Sequence, residues 1–353
     1  MIRERLSSQL LAGPPARTPR AVVERILAVQ AQDWRGMLLA VRARSLGLTA
    51  AAVIEALVVD RSLVISWLNR GTLHLVRSED YSWLLALTAR PQHSGAFTRL
   101  AQEGISASAA EKGVLVVTKA LAVHGPMTRG QLRDRLAVKG VARASSVALQ
   151  LLFLASQRGL IVRGPRVGKE QAFVLVRDWL GELATPSRET SLTELALRYL
   201  SGHAPASDRD LARWAGVPLR DVRAGLQGLG SEIKVRPDGL LELGRGVLPA
   251  AMPRPRLLGP FDPVLLGWIS RQLVLGPHQE VVAVNGLFRA FALVNGRAVG
   301  TWGLAGGTVT LRPFGDIDES VQAVLAEDAR SVGRFLGLPG CSMTVQRGDR
   351  PQD

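Results

Sequence analysis

Cysteine is nearly absent from this sequence, which contains a single one, Cys341, among 353 residues. One cysteine excludes an internal disulfide framework and any zinc or iron–sulfur site built from several cysteine ligands. The five histidines are scattered along the chain, with no pair at the spacing of metal ligands. We therefore expect neither a metal ion nor another cofactor.

Long apolar runs are also missing, because no segment approaches the roughly 18 consecutive apolar residues that a membrane span needs. Arg3, Glu4 and Arg5 interrupt the first twelve residues, which lack the apolar core of a signal peptide. We expect a cytoplasmic protein without a membrane partner. The sequence also lacks a Walker A loop and a nucleophile elbow, which argues against the enzymes defined by those motifs.

Lysine is rare as well: it supplies five of the 44 basic residues. A GC-rich genome explains the preference for arginine, but not the excess of basic over acidic residues. With 30 acidic residues, the formal net charge is +14. A protein this basic most often binds a polyanion, and nucleic acid is the leading candidate.

The order of predicted elements indicates an α+β protein with tandem winged helices, three in number. Each unit places helices before a hairpin, as a winged helix requires. The first unit has helices from Pro19 through Val29 and at 50–58, then a hairpin of 62–68 and 72–76. The second has helices at 111–124, 129–136 and 145–158, then strands at 160–163 and 172–176. The third has helices at 193–200, 208–215 and 219–229, then strands at 233–235 and 240–243.

A different pattern begins after a cluster of prolines between residues 249 and 263. Short β-type runs at 281–284, 290–294, 298–304 and 308–311 are separated by Asn-Gly and Gly-Gly turns. An amphipathic helix at 318–336 follows. The sequence therefore predicts an antiparallel sheet or barrel over 251–353, after winged helices at 1–105, 106–185 and 186–250.

Two glutamines and an aspartate, Gln30, Gln32 and Asp33, follow the first helix without an evident packing role. In a continuing helix, Gln30 and Gln32 would point about 200° apart. In an extended chain, residues i and i+2 point the same way, so a shared target requires the helix to end here. Gly36 permits such an end. A polar helical turn with exposed amides is the alternative.

Basic residues at predicted bends are the candidate contacts to a nucleic-acid backbone. Each has a simpler alternative, either a surface carboxylate partner or a solvated loop. His74, in the second strand of the first hairpin, is more typical of a structural histidine than of a catalyst. The candidate contacts are Arg70 at the first hairpin bend, Arg163, Arg166 and Lys169 on the second wing, and Arg289 and Arg297 beside the Asn295-Gly296 turn.

Several stretches resemble the AlkZ/YcaQ-like family of winged-helix DNA glycosylases, and together they span nearly the whole chain. The resemblance lies in 23–33 with its Gln-Ala-Gln-Asp end, Trp67, 70–76 (Arg-Gly-Thr-Leu-His-Leu-Val), Glu79-Asp80, 261–266 and 293–302. It implies tandem winged helices and a C-terminal β-barrel in a C-shape around DNA. It also implies excision of bulky N7-alkylguanines. Some members unhook interstrand crosslinks, and several protect producers of DNA-alkylating antibiotics.

The family's catalytic signature, Gln-aliphatic-Gln or Gln-aliphatic-Asp, corresponds to Gln30, Ala31 and Gln32. Amides are weak bases, but an N7-alkylated guanine is cationic and already activated as a leaving group. The two amides would then hold a water against the anomeric carbon. Asp33 would assist as acceptor or base, or only cap a helix.

No lysine is needed for this reaction, so the expected product is an abasic site without strand cleavage. The expected partner is double-stranded DNA containing alkylated guanine, and no obligate protein partner is inferred. Charge and fold alone would favour the alternative, a winged-helix transcription regulator without catalysis, and the glutamine motif discriminates between the two.

Overall fold

The computed structural model describes residues 1–141, 145–168, 170–244, 246–283 and 286–346, without the side chains of 90–94. The helices are α1 (Ile2–Ser8), α2 (Pro19–Ile26), α3 (Trp34–Ala43), α4 (Ala50–Val58), α5 (Tyr81–Thr88), α6 (Arg90–Gln102), α7 (Ala107–His124), α8 (Arg129–Val138), α9 (Ser145–Gln157), α10 (Val176–Leu180), α11 (Arg188–His203), α12 (Asp208–Ala215), α13 (Leu219–Gly228), α14 (Pro263–Leu266), α15 (Gln272–Leu275) and α16 (Glu319–Leu336). The strands are β1 (Val29–Gln30), β2 (Leu63–Trp67), β3 (Leu73–Arg77), β4 (Ile161–Val167), β5 (Glu170–Leu175), β6 (Ile233–Val235), β7 (Leu241–Leu243), β8 (Arg256–Leu258), β9 (Phe291–Val294), β10 (Arg297–Ala305), β11 (Thr308–Pro313) and β12 (Ser342–Val345). The predicted α+β class is confirmed.

The first two predicted hairpins form one five-stranded sheet with the order β1-β3-β2-β4-β5. Strand β2 pairs antiparallel with β4, with Ile65 opposite Arg163. The sequence predicted each hairpin but not their joining edge to edge, nor the short strand β1 that borders β3. This sheet brings the glutamine segment and the second wing into one unit.

The C-terminal sheet is open, with the order β12-β11-β10-β9-β8, so of the two predicted forms, sheet or barrel, the barrel is wrong. It is not wholly antiparallel, because β12 runs parallel to β11. Helix α16 lies between these two strands in the chain and acts as the crossover that a parallel pair requires. The predicted strand at 281–284 is also wrong in its described part: Gln279–Val281 form a 3₁₀ turn, and Val282 makes a single bridge with Phe288.

Helix α2 ends at Ile26, three residues before its predicted end at Val29. Leu27 stops it by adopting φ 62° and ψ −49°, a conformation that leucine rarely takes. The Leu27 side chain is fully buried, and this packing offsets the backbone strain. The chain then becomes extended at β1, which places Gln30 on a strand and Gln32 just after it, rather than both in a helix.

Helix α3 is fixed to the C-terminal part of the chain by a buried ion pair. The Arg44 guanidinium, at the end of α3, donates to both oxygens of Asp262, at 2.9 and 2.7 Å. Both side chains are 0% exposed. Gln9 accepts a further hydrogen bond from Arg44 at 3.0 Å and donates to the Gly202 carbonyl. These contacts determine where the chain after the glutamines lies.

The largest hydrophobic core crosses the predicted domain boundaries. It contains Leu68, Val162, Leu195 and Leu258, one from each predicted segment. The division at 105, 185 and 250 into three winged helices and a C-terminal domain therefore stays a prediction. Within the described ranges, every helix is too short or too polar to cross a bilayer.

Candidate active site

The two glutamine side chains meet. Gln30 lies in β1 opposite His74 of β3, and the Ala31 amide donates to the Leu73 carbonyl at 2.7 Å, which keeps the chain extended. Gln30 and Gln32 therefore point the same way, and the Gln30 Nε2 donates to the Gln32 Oε1. Gln30 is only 7% exposed, whereas Gln32 is open to solvent. The pair thus connects the sheet interior to the surface.

The pair leaves hydrogen-bonding capacity for a ligand. The Gln30 Oε1 accepts no hydrogen bond from the described residues, and the Gln32 Oε1 retains one lone pair. Two neighbouring amide oxygens can both accept from one water molecule and turn its lone pair away from themselves. An electron-poor carbon placed on that side would then receive the lone pair.

Asp33 serves as the N-cap of α3: its carboxylate accepts from the Gly36 backbone N–H at 2.5 Å. The cap satisfies one of the otherwise unpaired N–H groups of the helix. Of the two roles predicted for Asp33, the role as a helix cap is therefore visible in the geometry. The other, as an acceptor or base in catalysis, stays a prediction.

A row of polar side chains runs inward from Gln30 on the same face of the sheet. His74 faces Gln30 on one side and Ser66 of β2 on the other, and the Ser66 hydroxyl lies 3.0 Å from that of Ser156. The His74 Nδ1 donates to the Thr72 carbonyl at 3.0 Å, so this nitrogen carries the proton. Burial, helped by the charge of Arg70, lowers the pKa of His74 to about 3. A neutral, hydrogen-bonded His74 fits the structural role.

Acidification is expected to destabilise the protein through His74. Its pKa lies below the ordinary 6.5, so the unfolded chain binds the extra proton, and the free energy of unfolding falls as pH drops through 6.5. Between pH 7 and 5 this loss is about 2 kcal/mol for one fully buried histidine. Urea unfolding at both pH values should show a loss smaller by that amount in His74→Asn. His124→Asn, at the exposed end of α7, is the control and should behave as the parent does.

Arg70 has a different partner from the expected phosphate. Its Nη1 donates to the Trp214 carbonyl and, at 3.3 Å, to the Arg213 carbonyl at the end of α12. Burial, together with the charges of Arg213 and Arg271, lowers the pKa of Arg70 to about 10. The guanidinium binds orphan carbonyls of a helix terminus. These contacts use Nη1 alone, and the role of Arg70 as a DNA contact stays a prediction.

Arg163 lies within strand β4 of the second wing, not at a bend. Its guanidinium carbon lies 4.1 Å from the ring centre of Phe173 and 4.8 Å from that of Trp67. Burial, with a contribution from Arg129, lowers the pKa of Arg163 to about 10. Inside the hairpin, this cation packs against aromatic faces instead of reaching a phosphate.

The rest of the second wing approaches the glutamine segment. Arg166 is exposed, and its guanidinium carbon lies 5.4 Å from the ring centre of Trp34, two residues after Gln32. Lys169, the third predicted cation of this wing, lies outside the described residues. Of the three wing cations, Arg166 is the one that the structure places on an exposed surface next to the candidate site.

The cations predicted beside the Asn295-Gly296 turn do not share a site. Arg289 precedes β9 and lines a cleft of about 390 Å³ together with Asp33, Arg35 and Arg312. Arg297 begins β10 and lines a separate cavity that also includes Asp316. The four residues of β9 span roughly 13 Å, which carries the two arginines apart.

Two arginines of this cleft, Arg35 and Arg312, were not predicted. Arg35 lies three residues after Gln32, so its proximity to the motif was available in the sequence. Arg312 ends up nearby only because Leu39 of α3 and Leu311 of β11 share one hydrophobic core, and no local pattern signals that contact. Across the described residues, His, Cys, Asp and Glu side chains form no cluster suited to a metal ion.

A basic surface next to paired amides is compatible with a protein that acts on nucleic acid, and comparisons with known proteins specify the family. The sequence profile described as "DNA glycosylase AlkZ-like" matches residues 23–335, so the chain belongs to this family of DNA glycosylases. The predicted resemblance is confirmed. These matches give no support to the transcription-regulator alternative.

Two matches, one to a curated sequence and one to a solved structure, cover almost the full length of both chains. One is an "Interstrand DNA cross-link repair glycosylase" of Streptomyces sahachiroi, 27% identical over 361 residues, covering 95% of each chain. The other is the solved structure of Streptomyces sahachiroi DNA glycosylase AlkZ, with a TM-score of 0.80, 24% identity and 98% of each chain covered. The solved structure establishes the shared fold.

Proposed function

We propose that this protein is a monofunctional DNA glycosylase that hydrolyses the N-glycosidic bond of N7-alkylguanine. The observation that carries the proposal is the contact between the Gln30 and Gln32 carboxamides, on a strand edge that opens to the surface. Family membership supplies the reaction class, and the lesion follows from the chemistry of the two amides.

A neutral amide cannot protonate a poor leaving group, so the substrate must carry its own activation. Alkylation at N7 makes guanine cationic, and its departure neutralises that charge. The remaining requirements are a placed water and a negative potential beside the sugar, on which positive charge develops. The Gln30 and Gln32 oxygens supply both through fixed dipoles that need no reorganisation during reaction.

The surroundings suit the anionic backbone of DNA. Arg70, Arg213 and Arg271 form one group: burial lowers the pKa of Arg70, and the charges of the other two arginines lower it further. Arg35, Arg289 and Arg312 form a second group beside Asp33. Such unbalanced positive charge attracts phosphates and releases counterions on binding. We include crosslinks through guanine N7 among the substrates, because the S. sahachiroi relative is named for interstrand crosslink repair.

The product distinguishes hydrolysis from a lyase reaction. We expect free N7-methylguanine from methylated duplex DNA, measured by mass spectrometry, while the labelled strand stays intact until it is heated in alkali. Without an amine in the proposed chemistry, no Schiff base forms and the strand is not cut. Strand breaks before alkali treatment would contradict the monofunctional assignment. Failure of the parent to release any of several N7 adducts would contradict the proposed function as a whole.

A further inference from the structure

The cleft beside Asp33 carries a concentration of positive charge that takes no part in the hydrolysis step itself and whose particular ligand is not yet assigned. We name it the arginine cleft, defined by Arg35, Arg289 and Arg312. Among its described lining residues, Asp33 is the one acid, and that carboxylate already caps α3. The cleft has a volume of about 390 Å³, with Pro260, Phe288 and Trp302 forming part of its wall.

The three guanidinium groups keep most of their donors available. Arg35 uses one N–H on the Leu304 carbonyl at 3.3 Å, and Arg312 uses one on the Gln346 side chain at 3.0 Å. Arg289 is exposed and makes no side-chain hydrogen bond within the described part of the chain. A guanidinium has five N–H donors in a planar fork. In the described residues, moreover, no carboxylate forms an ion pair with any of the three.

The cleft has a rigid wall next to the glutamines. A Cβ atom on Gly36 would lie 2.4 Å from the Pro260 carbonyl oxygen, so α3 packs there without space for any side chain. Asp33 directly follows Gln32, and neighbouring Cα atoms are about 3.8 Å apart. Stacked nucleotides advance about 3.4 Å each. The wall of the cleft therefore begins one residue after the glutamine pair, and the phosphates nearest a sugar placed at the pair are the ones closest to the cleft.

We infer that the arginine cleft binds a phosphodiester group of the lesion-bearing strand, next to the nucleotide that reacts. The ligand class follows from charge: three arginines attract a phosphate and repel a cationic N7-alkylguanine base. A phosphate bound here fixes the register of the DNA strand on the protein. It thereby fixes the distance between the anomeric carbon of the reacting nucleotide and the water held by the glutamines. The inference rests on the proposed function for the identity of the reacting nucleotide, but not for the binding of DNA.

The salt dependence of binding tests the cleft without any chemistry. Affinity for an undamaged duplex is measured by fluorescence anisotropy over a series of salt concentrations. Arg289→Gln and Arg312→Gln are each expected to reduce the slope of log affinity against log salt by about 0.9, the value for one lost phosphate contact. Arg254→Gln is the matched control, because this exposed arginine is paired with Glu327 at 2.9 Å. Parent-like slopes in both cleft variants would overturn the inference.

A second experiment locates the phosphate. Duplexes with a tetrahydrofuran abasic analogue carry one neutral methylphosphonate at each position in turn, within three nucleotides of the analogue. At one position, Arg312→Gln should weaken binding of the charged duplex but not of the neutral one. Additive effects at every position would contradict the assignment. Because the analogue cannot be excised, this result is independent of whether the parent releases N7-methylguanine.

Discussion

Replacement of Gln30 by alanine is expected to lower the single-turnover rate of N7-methylguanine release by about 100- to 1000-fold, the usual effect of removing one group that stabilises a transition state. Gln32→Ala should act in the same direction. Each change removes one of the two adjacent amide oxygens, so the water loses a fixed acceptor and the sugar a negative dipole. The rate is measured with saturating enzyme on a duplex containing one N7-methylguanine.

The decisive control separates catalysis from binding and folding. Gln102→Ala, at the exposed end of α6, should keep the parental rate. Binding of the tetrahydrofuran duplex should change by less than threefold in the Gln32→Ala variant, because the side chain is exposed and its loss removes no cation. If both glutamine variants excise at half the parental rate or faster, the site assignment is wrong even if the parent is active.

The second large effect concerns stability, at the buried pair of Arg44 and Asp262. Arg44→Met leaves a carboxylate with no cation in an environment that is 0% exposed. Asp262→Asn likewise leaves an unpaired guanidinium. Each single change is expected to reduce the free energy of unfolding by about 3–5 kcal/mol, because a buried charge without its partner keeps its desolvation cost. Urea unfolding monitored by circular dichroism measures it.

The double variant Arg44→Met with Asp262→Asn should recover much of that loss, since neither buried charge remains. Arg223→Ala provides the contrast, because Arg223 pairs with Asp208 at 2.8 Å on the surface. Exposed pairs contribute about 0–1 kcal/mol. A double variant as unstable as the sum of the two singles would contradict the explanation by charge burial.

Local patterns predicted much of the secondary structure because each signal acts over a few residues. Thr18 and Thr49 each stand just before an apolar stripe, and each accepts a hydrogen bond from the backbone three residues later as a helix cap. Helix α12 has the predicted bounds, from Asp208 to Ala215. The predicted barrel is wrong because a barrel closes only when the two edge strands of the sheet pair with each other, and local patterns do not specify that pairing. The parallel edge strand β12, which leaves the sheet open, has no signature in the order of short β runs.

The candidate site likewise has a part that local sequence predicted and a part that it did not. The spacing of Gln30 and Gln32 required an extended chain for a shared target, and the structure places their amides in contact. The individual cations were less predictable. Arg70 and Arg163 lie at or near bends. Arg70 nevertheless donates to carbonyls at the end of helix α12, and Arg163 packs against two aromatic rings. A bend predicted from the sequence does not reveal which distant element packs against it.

Composition, helix caps and the Gln-Ala-Gln spacing were fixed by the sequence itself, because they depend on residue type and on neighbours a few positions away. Tertiary structure alone decided that Arg35, Arg289 and Arg312 share one cleft beside Asp33. Those arginines come from α3, the segment before β9 and β11, nearly 280 residues apart at the extremes. The packing of Gly36 against Pro260 and the Arg44–Asp262 pair bring these segments together. Contacts of that range depend on the whole core, which no short window of sequence specifies.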